Sequence, residues 1–318
     1  MIALMAGLLP AALSGCDTLG MDRSAASPVE LGVEKPQIRV AVLSTVDFAP
    51  LRMAQASGYF EDEGLEVEEI EVATGQAATA MVMSGEADIG GASYLPFLAA
   101  KGTAAVDIRI VAGSSSASPR STSVVSVPGS PVRTVHDLAG RRIAVTDLNT
   151  ASHLLTISLM RDHGVNTDKV LWVPLAFSNV ALALKSGQVD AAFLAEPYLT
   201  QAAMVAGAFP VADVSTGSTQ DIPLTGYGGL GDFVDRHPRT VAAFQRALSR
   251  TSRDLADRTR TEQLLVKFTR TDRDVLALVT LPAYGSTLDP LRLQRVADLL
   301  HRSGVIPARL DAGPLLGK

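Results

Sequence analysis

Cysteine is almost missing from this chain: Cys16 is the only one among 318 residues. One thiol excludes an intrachain disulfide framework, a multi-cysteine zinc site and a cysteine-ligated iron–sulfur cluster. The five histidines, His136, His153, His163, His237 and His301, stand in neither an HxxxH nor an HExxH spacing, so no local metal motif exists and no cofactor is expected. Basic blocks are absent too. With 28 Lys and Arg against 33 Asp and Glu, and a net charge of -5, the chain lacks the electrostatic footprint of a nucleic-acid binder. No apolar run reaches the roughly 20 residues of a membrane-spanning helix. What is present, 47% hydrophobic and 19% charged residues, describes a globular body. At this length two lobes are expected rather than one.

The first apolar run, Ile2 to Gly15, is broken by Pro10 and reads as the h-region of a signal peptide over residues 1–15, although no Lys or Arg precedes it. It ends in Leu13-Ser14-Gly15-Cys16, which resembles the bacterial lipobox, so Cys16 is expected to carry lipid. Residues 16–37, rich in Ser, Ala, Gly and Pro with little periodicity, read as a flexible tether.

From Ile38 the chain runs strand, polar loop, helix, and does so twice. Ile38 to Leu43 is a β-rich run followed by the loop Ser44 to Ala49 and a helix from Pro50 to near Gly64. Leu65 to Val72 alternates as a strand, and Thr74-Gly75-Gln76 opens a second helix that stops at Ser84-Gly85. The same order recurs in Arg142 to Val145, the loop Thr146 to Ser152, a helix to Gly164, a strand Val170 to Pro174, and a helix from Ser178 to Ser186-Gly187. Gly85 and Gly187 stand 102 residues apart, each with an aspartate three positions on, at Asp88 and Asp190. That interval exceeds any solenoid period and suggests two similar α/β lobes, each a mainly parallel sheet wrapped by crossover helices. Asp88 and Asp190 read as turn anchors. The expected division is residues 38–123 for the first part of lobe one, 124–223 for lobe two, and 224–318 for a strand returning to lobe one with amphipathic helices around it.

Four stretches carry a family resemblance: Ala54 to Leu65, Gly85 to Ser93, Asp137 to Val145, and Ser186 to Ala192 followed by Glu196-Pro197. Together they resemble the periplasmic-type solute-binding proteins of the nitrate, sulfonate, taurine, bicarbonate and thiamine-pyrimidine group, the SsuA/THI5-like family. The resemblance spans about residues 38–285. It implies an α/β, two-lobed periplasmic-binding-protein fold of type II with a two-stranded hinge, closing over one small solute. It also implies a monomeric lipoprotein on the outer face of the cytoplasmic membrane, or in the periplasm, that serves an ABC permease and its ATPase.

In open α/β sheets, ligands sit beyond the carboxyl ends of strands, where loops enter helix N-termini. Six such corners supply the candidate ligand-binding residues. Asp47 and Phe48 stand at the first, Thr74, Gly75 and Gln76 at the second, and Ser93 and Tyr94 at the third. Asn149, Thr150, Ser152 and His153 form the fourth and richest; Phe177, Ser178 and Asn179 the fifth; Glu196 and Tyr198 the sixth. Helix N-termini suit an anionic or strongly accepting group, yet Thr74, Ser152 and Ser178 read equally well as simple caps. A desolvated carboxylate would repel a plain anion, so Asp47 and Glu196 favour an amine, amidine or ring N–H; each also reads as a helix-start residue. Although aromatics are only 5% of the chain, Phe48, Tyr94, Phe177, Tyr198 and Tyr227 all fall at expected strand-to-loop corners, for stacking or for sealing the floor.

The alternatives are a biosynthetic enzyme on the same scaffold, of the pyrimidine-synthase or menaquinone-lyase type, and a ligand-sensing lipoprotein. The chain lacks both the cysteine-rich stretch of the former synthase and a G-x-S-x-G elbow, so no catalytic role is expected.

Overall fold

The structure is a computed structural model, and it describes residues 32–103 and 106–316. The expected signal peptide, Cys16 and the tether up to residue 31 lie outside the described residues. The last six residues of that tether are tied down. Glu34 accepts from the backbone N–H of Arg239 and Thr240, Lys35 N donates to Thr240 Oγ1 over 2.9 Å, and Gln37 already begins a strand.

In chain order the first repeat comprises β1 (Gln37–Val42), α1 (Ala49–Ala56), α2 (Tyr59–Asp62), β2 (Glu66–Glu71), α3 (Gly75–Ser84), β3 (Ile89–Ser93), α4 (Tyr94–Gly102) and β4 (Ile108–Ser116). The second comprises β5 (Thr122–Ser126), β6 (Arg142–Val145), α5 (Ala151–Asp162), β7 (Leu171–Pro174), α6 (Phe177–Lys185), β8 (Ala191–Ala195), α7 (Tyr198–Ala206) and β9 (Phe209–Asp213). The chain then returns through β10 (Pro223–Leu230), α8 (Gly231–Arg236), α9 (Pro238–Ala256), α10 (Arg258–Thr269), α11 (Arg273–Leu278), β11 (Ala283–Tyr284) and α12 (Pro290–Arg302). The helix expected from Pro50 to Gly64 is two helices. Gly58 takes φ 71, a left-handed conformation that ends α1 and lets Phe60 fold back into the core.

Two sheets result, ordered β11-β4-β10-β3-β1-β2 and β7-β6-β8-β5-β9. Strands β1, β2 and β3 pair in parallel, as do β6, β7 and β8, because each pair is joined by a crossover helix. The exceptions explain the hinge. Strand β10 runs antiparallel between β3 and β4, and β5 runs antiparallel between β8 and β9, so an interior strand of each sheet is reached by a connection from the other. The two connections touch where Ala117 N donates to Ile222 O over 3.0 Å. This is the two-lobed α/β fold of type II binding proteins.

The repeat is held by identical devices. Asp88 accepts from Arg39 N at 3.0 Å, and Asp190 accepts from Arg142 N at 2.9 Å. In each case the aspartate's own N–H returns a bond to that arginine's carbonyl, locking a helix exit to a strand start. Helix α9 lays Val241, Phe244 and Leu248 onto the first sheet, where Phe60 stacks on Phe244 at 5.4 Å.

Candidate ligand-binding cleft

Both sheets point the carboxyl ends of their parallel strands at a shared cavity. Its volume is about 60 Å³, in a measure where one water takes about 10–15 Å³. Helix starts converge on it from both sides: Gly75 from α3, Ser93 before α4, Thr150, Ala151 and Ser152 at α5, and Phe177 from α6. Their free N–H groups and dipoles make the interior positive without any cation. Among the described residues, no Lys, Arg or His lines it.

Seven hydroxyl-bearing residues line it, Thr45, Ser93, Thr122, Thr146, Thr150, Ser152 and Thr225. At the start of α5 three of them form a triangle. Thr146 Oγ1 lies 2.9 Å from Ser152 Oγ and 3.2 Å from Thr150 Oγ1, which is 2.8 Å from Ser152 Oγ. Thr150 donates its proton to Asp147 O, so the protons of Thr146 and Ser152 can serve either one another or a bound acceptor. Asn149, at φ 62, turns the chain into this corner, a conformation asparagine tolerates better than most residues.

Asp47 brings the opposite sign. It is 5% exposed, with no cation paired to it among the described residues, and burial pushes its carboxyl above the ordinary value against the pull of the Ser115 and Thr45 hydroxyls. Ser115 donates to Asp47 Oδ1 over 2.8 Å, which leaves Ser115 to accept from Thr225, 2.8 Å away. Its backbone carbonyl accepts from Ser114. Asp47 does not cap α1, whose start carries no side-chain cap bond.

Of the sequence-derived candidates, Asp47, Phe48, Gly75, Ser93, Thr150, Ser152 and Phe177 line this cavity. Ser178 and Tyr198 line an adjoining outer hollow of about 490 Å³, which shares Leu43, Thr45 and Phe177 with the inner one. The others have different work. Thr74 caps α3 by accepting from Ala77 N. Gln76 Nε2 reaches across the cleft to Leu148 O at 2.6 Å. Tyr94 is buried against Gly226, where a Cβ would lie 2.5 Å from its ring. His153 turns away from the cavity: its Nδ1 accepts from Asn149 N, its ring meets Trp172 edge-to-face at 4.6 Å, and burial pulls its pKa down to about 4. Asn179 is exposed on α6.

Glu196 binds protein rather than the cavity. Its carboxyl accepts from Thr200 N, Thr200 Oγ1 and Thr280 N, while its backbone oxygen accepts from Val46 N across the cleft. Burial raises its pKa against those donors. Tyr227 is likewise structural, packed edge-on to Phe48 and Phe244. Sequence reasoning passed over Thr122, Thr146, Phe193, Leu224 and Thr225, which also line the cavity. Thr146 carried a signal, since it opens the polar loop that follows β6. Thr122, Leu224 and Thr225 lie where the chain changes sheets; the crossing is legible in the sequence, but which side chains there turn toward the cavity is set by the opposite sheet.

A family model described as NMT1/THI5 like matches residues 45–259, more than half of the chain. The chain belongs to the NMT1/THI5-like family. The matched span covers the cleft corners of both sheets. A curated aliphatic sulfonates-binding protein of Escherichia coli (strain K12) is 23% identical over 238 residues, 71% of this chain and 72% of that protein. Among solved structures, the alkanesulfonate-binding protein SsuA of Xanthomonas axonopodis pv. citri, bound to MOPS, aligns with a TM-score of 0.77 at 21% identity, covering 90% of this chain and 99% of that one. The periplasmic nitrate-binding protein NrtA of Synechocystis PCC 6803 aligns at 0.76 with 14% identity, covering 88% and 85%. The relatives named are solute-binding proteins by their descriptions, the nitrate-binding one periplasmic, and at such identities the structural likeness speaks for the fold.

Proposed function

We propose that this protein is the extracytoplasmic solute-binding receptor of an ABC importer, and that its lobes close over a compact zwitterion or nitrogen heterocycle. The observation that carries this reading is the composition of the inner cavity. Helix N-termini and hydroxyls from both lobes favour an accepting group, while Asp47, buried without a cation, favours an N–H donor on the same ligand. A ligand bearing both groups satisfies both ends at once.

Closure follows from the same geometry. A solute held by Thr150 and Ser152 of one lobe and by Asp47 and Ser93 of the other binds the closed state better than the open one, and shifts the equilibrium toward it. The Gln76–Leu148 and Val46–Glu196 bonds join the lobes directly. On this reading the protein binds its compound reversibly and releases it unchanged. Lipid on Cys16 holds the monomer beside a permease driven by its ATPase.

A thermal-shift panel of taurine, alkanesulfonates, nitrate, bicarbonate, amino acids and pyrimidines tests this. Ligand at about 100 times its dissociation constant adds roughly 2.7 kcal/mol of stability. The expected hits carry an N–H group, and Asp47→Asn weakens them more than any compound lacking one. Stabilisation by nitrate or a plain alkanesulfonate, with every amine-bearing compound inert, removes Asp47 from the reading.

A further inference from the structure

Away from the cleft, a recess of about 460 Å³ opens between α5 and α12. Helix α5 belongs to the second repeat and α12 to the returning segment, so the recess takes one wall from each. Ser218, in the turn Gly217–Thr219 on the connection from β9 to β10, lines it as well. Three guanidiniums point at this space: Arg161 in the last turn of α5, with Arg295 and Arg302 on α12. A last-turn arginine complements the negative end of its own helix. That accounts for Arg161 and Arg302 singly, but not for both lining one recess.

Two carboxylates share the recess, and both are engaged elsewhere. Asp162 accepts from Ser218 N at 2.9 Å and from Ser218 Oγ at 2.8 Å, which fastens α5 to the turn. Asp298 accepts from Arg309 and from Gln294, each at 2.8 Å, and feels Arg302 only through space. Arg295 donates to the carbonyls of Ser218 and Gln220, tying the same turn to α12. Arg161 and Arg302 are exposed and, among the described residues, make neither a hydrogen bond nor an ion pair. The recess thus gathers like charges from two helices, a repulsion that a bound oxyanion relieves.

We propose that this recess binds a phosphoryl group, free or on a lipid headgroup, clamped by Arg161 from α5 and by Arg295 and Arg302 from α12. A tetrahedral dianion fits the set. Its oxygens radiate toward planar forks that pair with them bidentately, and its charge offsets guanidiniums that a monoanion leaves in excess. The site is separate from the cleft, where no Lys, Arg or His lines the cavity among the described residues, and it does not rest on the proposed receptor function. Helix α5 connects the two places, since Ala151 and Ser152 in its first turn line the cleft and Arg161 in its last turn lines the recess. An occupied recess holds α5 against α12 and favours the arrangement of the lobes in which both walls are present.

Two probes of the full chain test this. Titration calorimetry with inorganic phosphate at neutral pH, against chloride at matched ionic strength, reads the free source. Cosedimentation with phosphatidylcholine vesicles carrying phosphatidic acid, against vesicles brought to the same surface charge with oleate, reads the headgroup. Each is run on the parent, on Arg161→Gln with Arg302→Gln, and on Arg253→Gln with Arg273→Gln, a pair of exposed arginines outside the recess. At least one probe is expected to bind the parent, to lose about tenfold or more in affinity in the recess variant, and to keep the parent's affinity in the control. A loss seen with phosphate alone names the free group, and a loss with phosphatidic acid alone names the headgroup. Because Arg161 and Arg302 hold nothing else in place, the recess variant is expected to melt with the parent. Binding by neither probe, an affinity unchanged in the recess variant, equal losses in both variants, or vesicle capture as strong with oleate while phosphate stays inert each overturns the site.

Discussion

At several of its cleft corners the second half of the molecule repeats the first at an interval of 102 residues, yet the halves bring different chemistry to the cleft. Helices α3 and α6 begin at Gly75 and Phe177, strands β3 and β8 begin at Ile89 and Ala191, and helices α1 and α5 begin at Ala49 and Ala151. At these matched corners Asp47 answers to Asn149, Phe48 to Thr150, Ser93 to Ala195, Tyr94 to Glu196, Leu51 to His153 and Gln76 to Ser178. The first half contributes the carboxyl; the second contributes the hydroxyl triangle. Backbone geometry is thus shared, since both lobes solve the same problem of returning a crossover helix to a parallel sheet. Side chains at the rim are free to diverge, because changing them does not disturb the turn that positions them.

Four changes break or sharpen this comparison. The largest concerns acid. His153 stays neutral in the fold down to about pH 4, whereas a free histidine protonates near 6.5, so its contribution is complete above pH 6.5 and is lost as the pH falls through 4, about 3 kcal/mol in all. The first half has Leu51 at the matching place and no such term. His153→Leu is expected to flatten the dependence of the urea midpoint between pH 7 and 4.5; an unchanged slope removes His153 as its source.

Next comes the hinge-side contact. In Glu196→Gln the new amide must face one of the N–H groups of Thr200 and Thr280 that the carboxyl now accepts from, at an expected cost of about 2 kcal/mol. A denaturation curve matching the parent's shows the contact to be dispensable. The ligand is affected third. Thr146→Val keeps the shape of the triangle and removes one hydroxyl proton, so affinity for the best compound of the thermal-shift panel is expected to fall by about 10- to 100-fold. The matching change, Ser44→Ala, lies on the outer hollow and has a smaller effect; equal losses contradict the assignment of the inner cavity as the binding site. Smallest is Gln76→Ala, which deletes the bond to Leu148 O and nothing in the cavity. A loss of about three- to fivefold in affinity, with no shift in the melting temperature of the free protein, is expected.

The repeat, both sheets and the six corners were legible in the sequence because they rest on local signals. A strand's apolar run, a glycine at a helix exit and a polar loop before a helix each declare themselves within about ten residues. The split at Gly58 was missed because a single glycine inside an apolar stretch is a weak stop signal, and Phe60 and Leu65 beyond it join the same core as Leu51 before it. Strand β11 was missed because two residues, Ala283 and Tyr284, carry no periodicity.

The site was legible by half, and the division is instructive. Asp47, Phe48, Gly75, Ser93, Thr150, Ser152 and Phe177 line the cavity and were legible as corner residues, since a corner's position follows from its own strand and helix. Whether a corner side chain turns inward depends on what the opposite lobe leaves open. His153 and Glu196 have the chemistry of ligand groups, but Asn149 and Trp172 claim the first, while Thr200 and Thr280 claim the second. The sequence by itself determined the two-fold repetition, the type of each sheet and the places where loops meet helix N-termini. Tertiary structure alone decided which of those loops face one another, because the swapped strands β5 and β10 bring residues over 100 positions apart into one small cavity, and burial there sets the charge preference of Asp47. Such pairings arise from long-range packing, which no local pattern encodes.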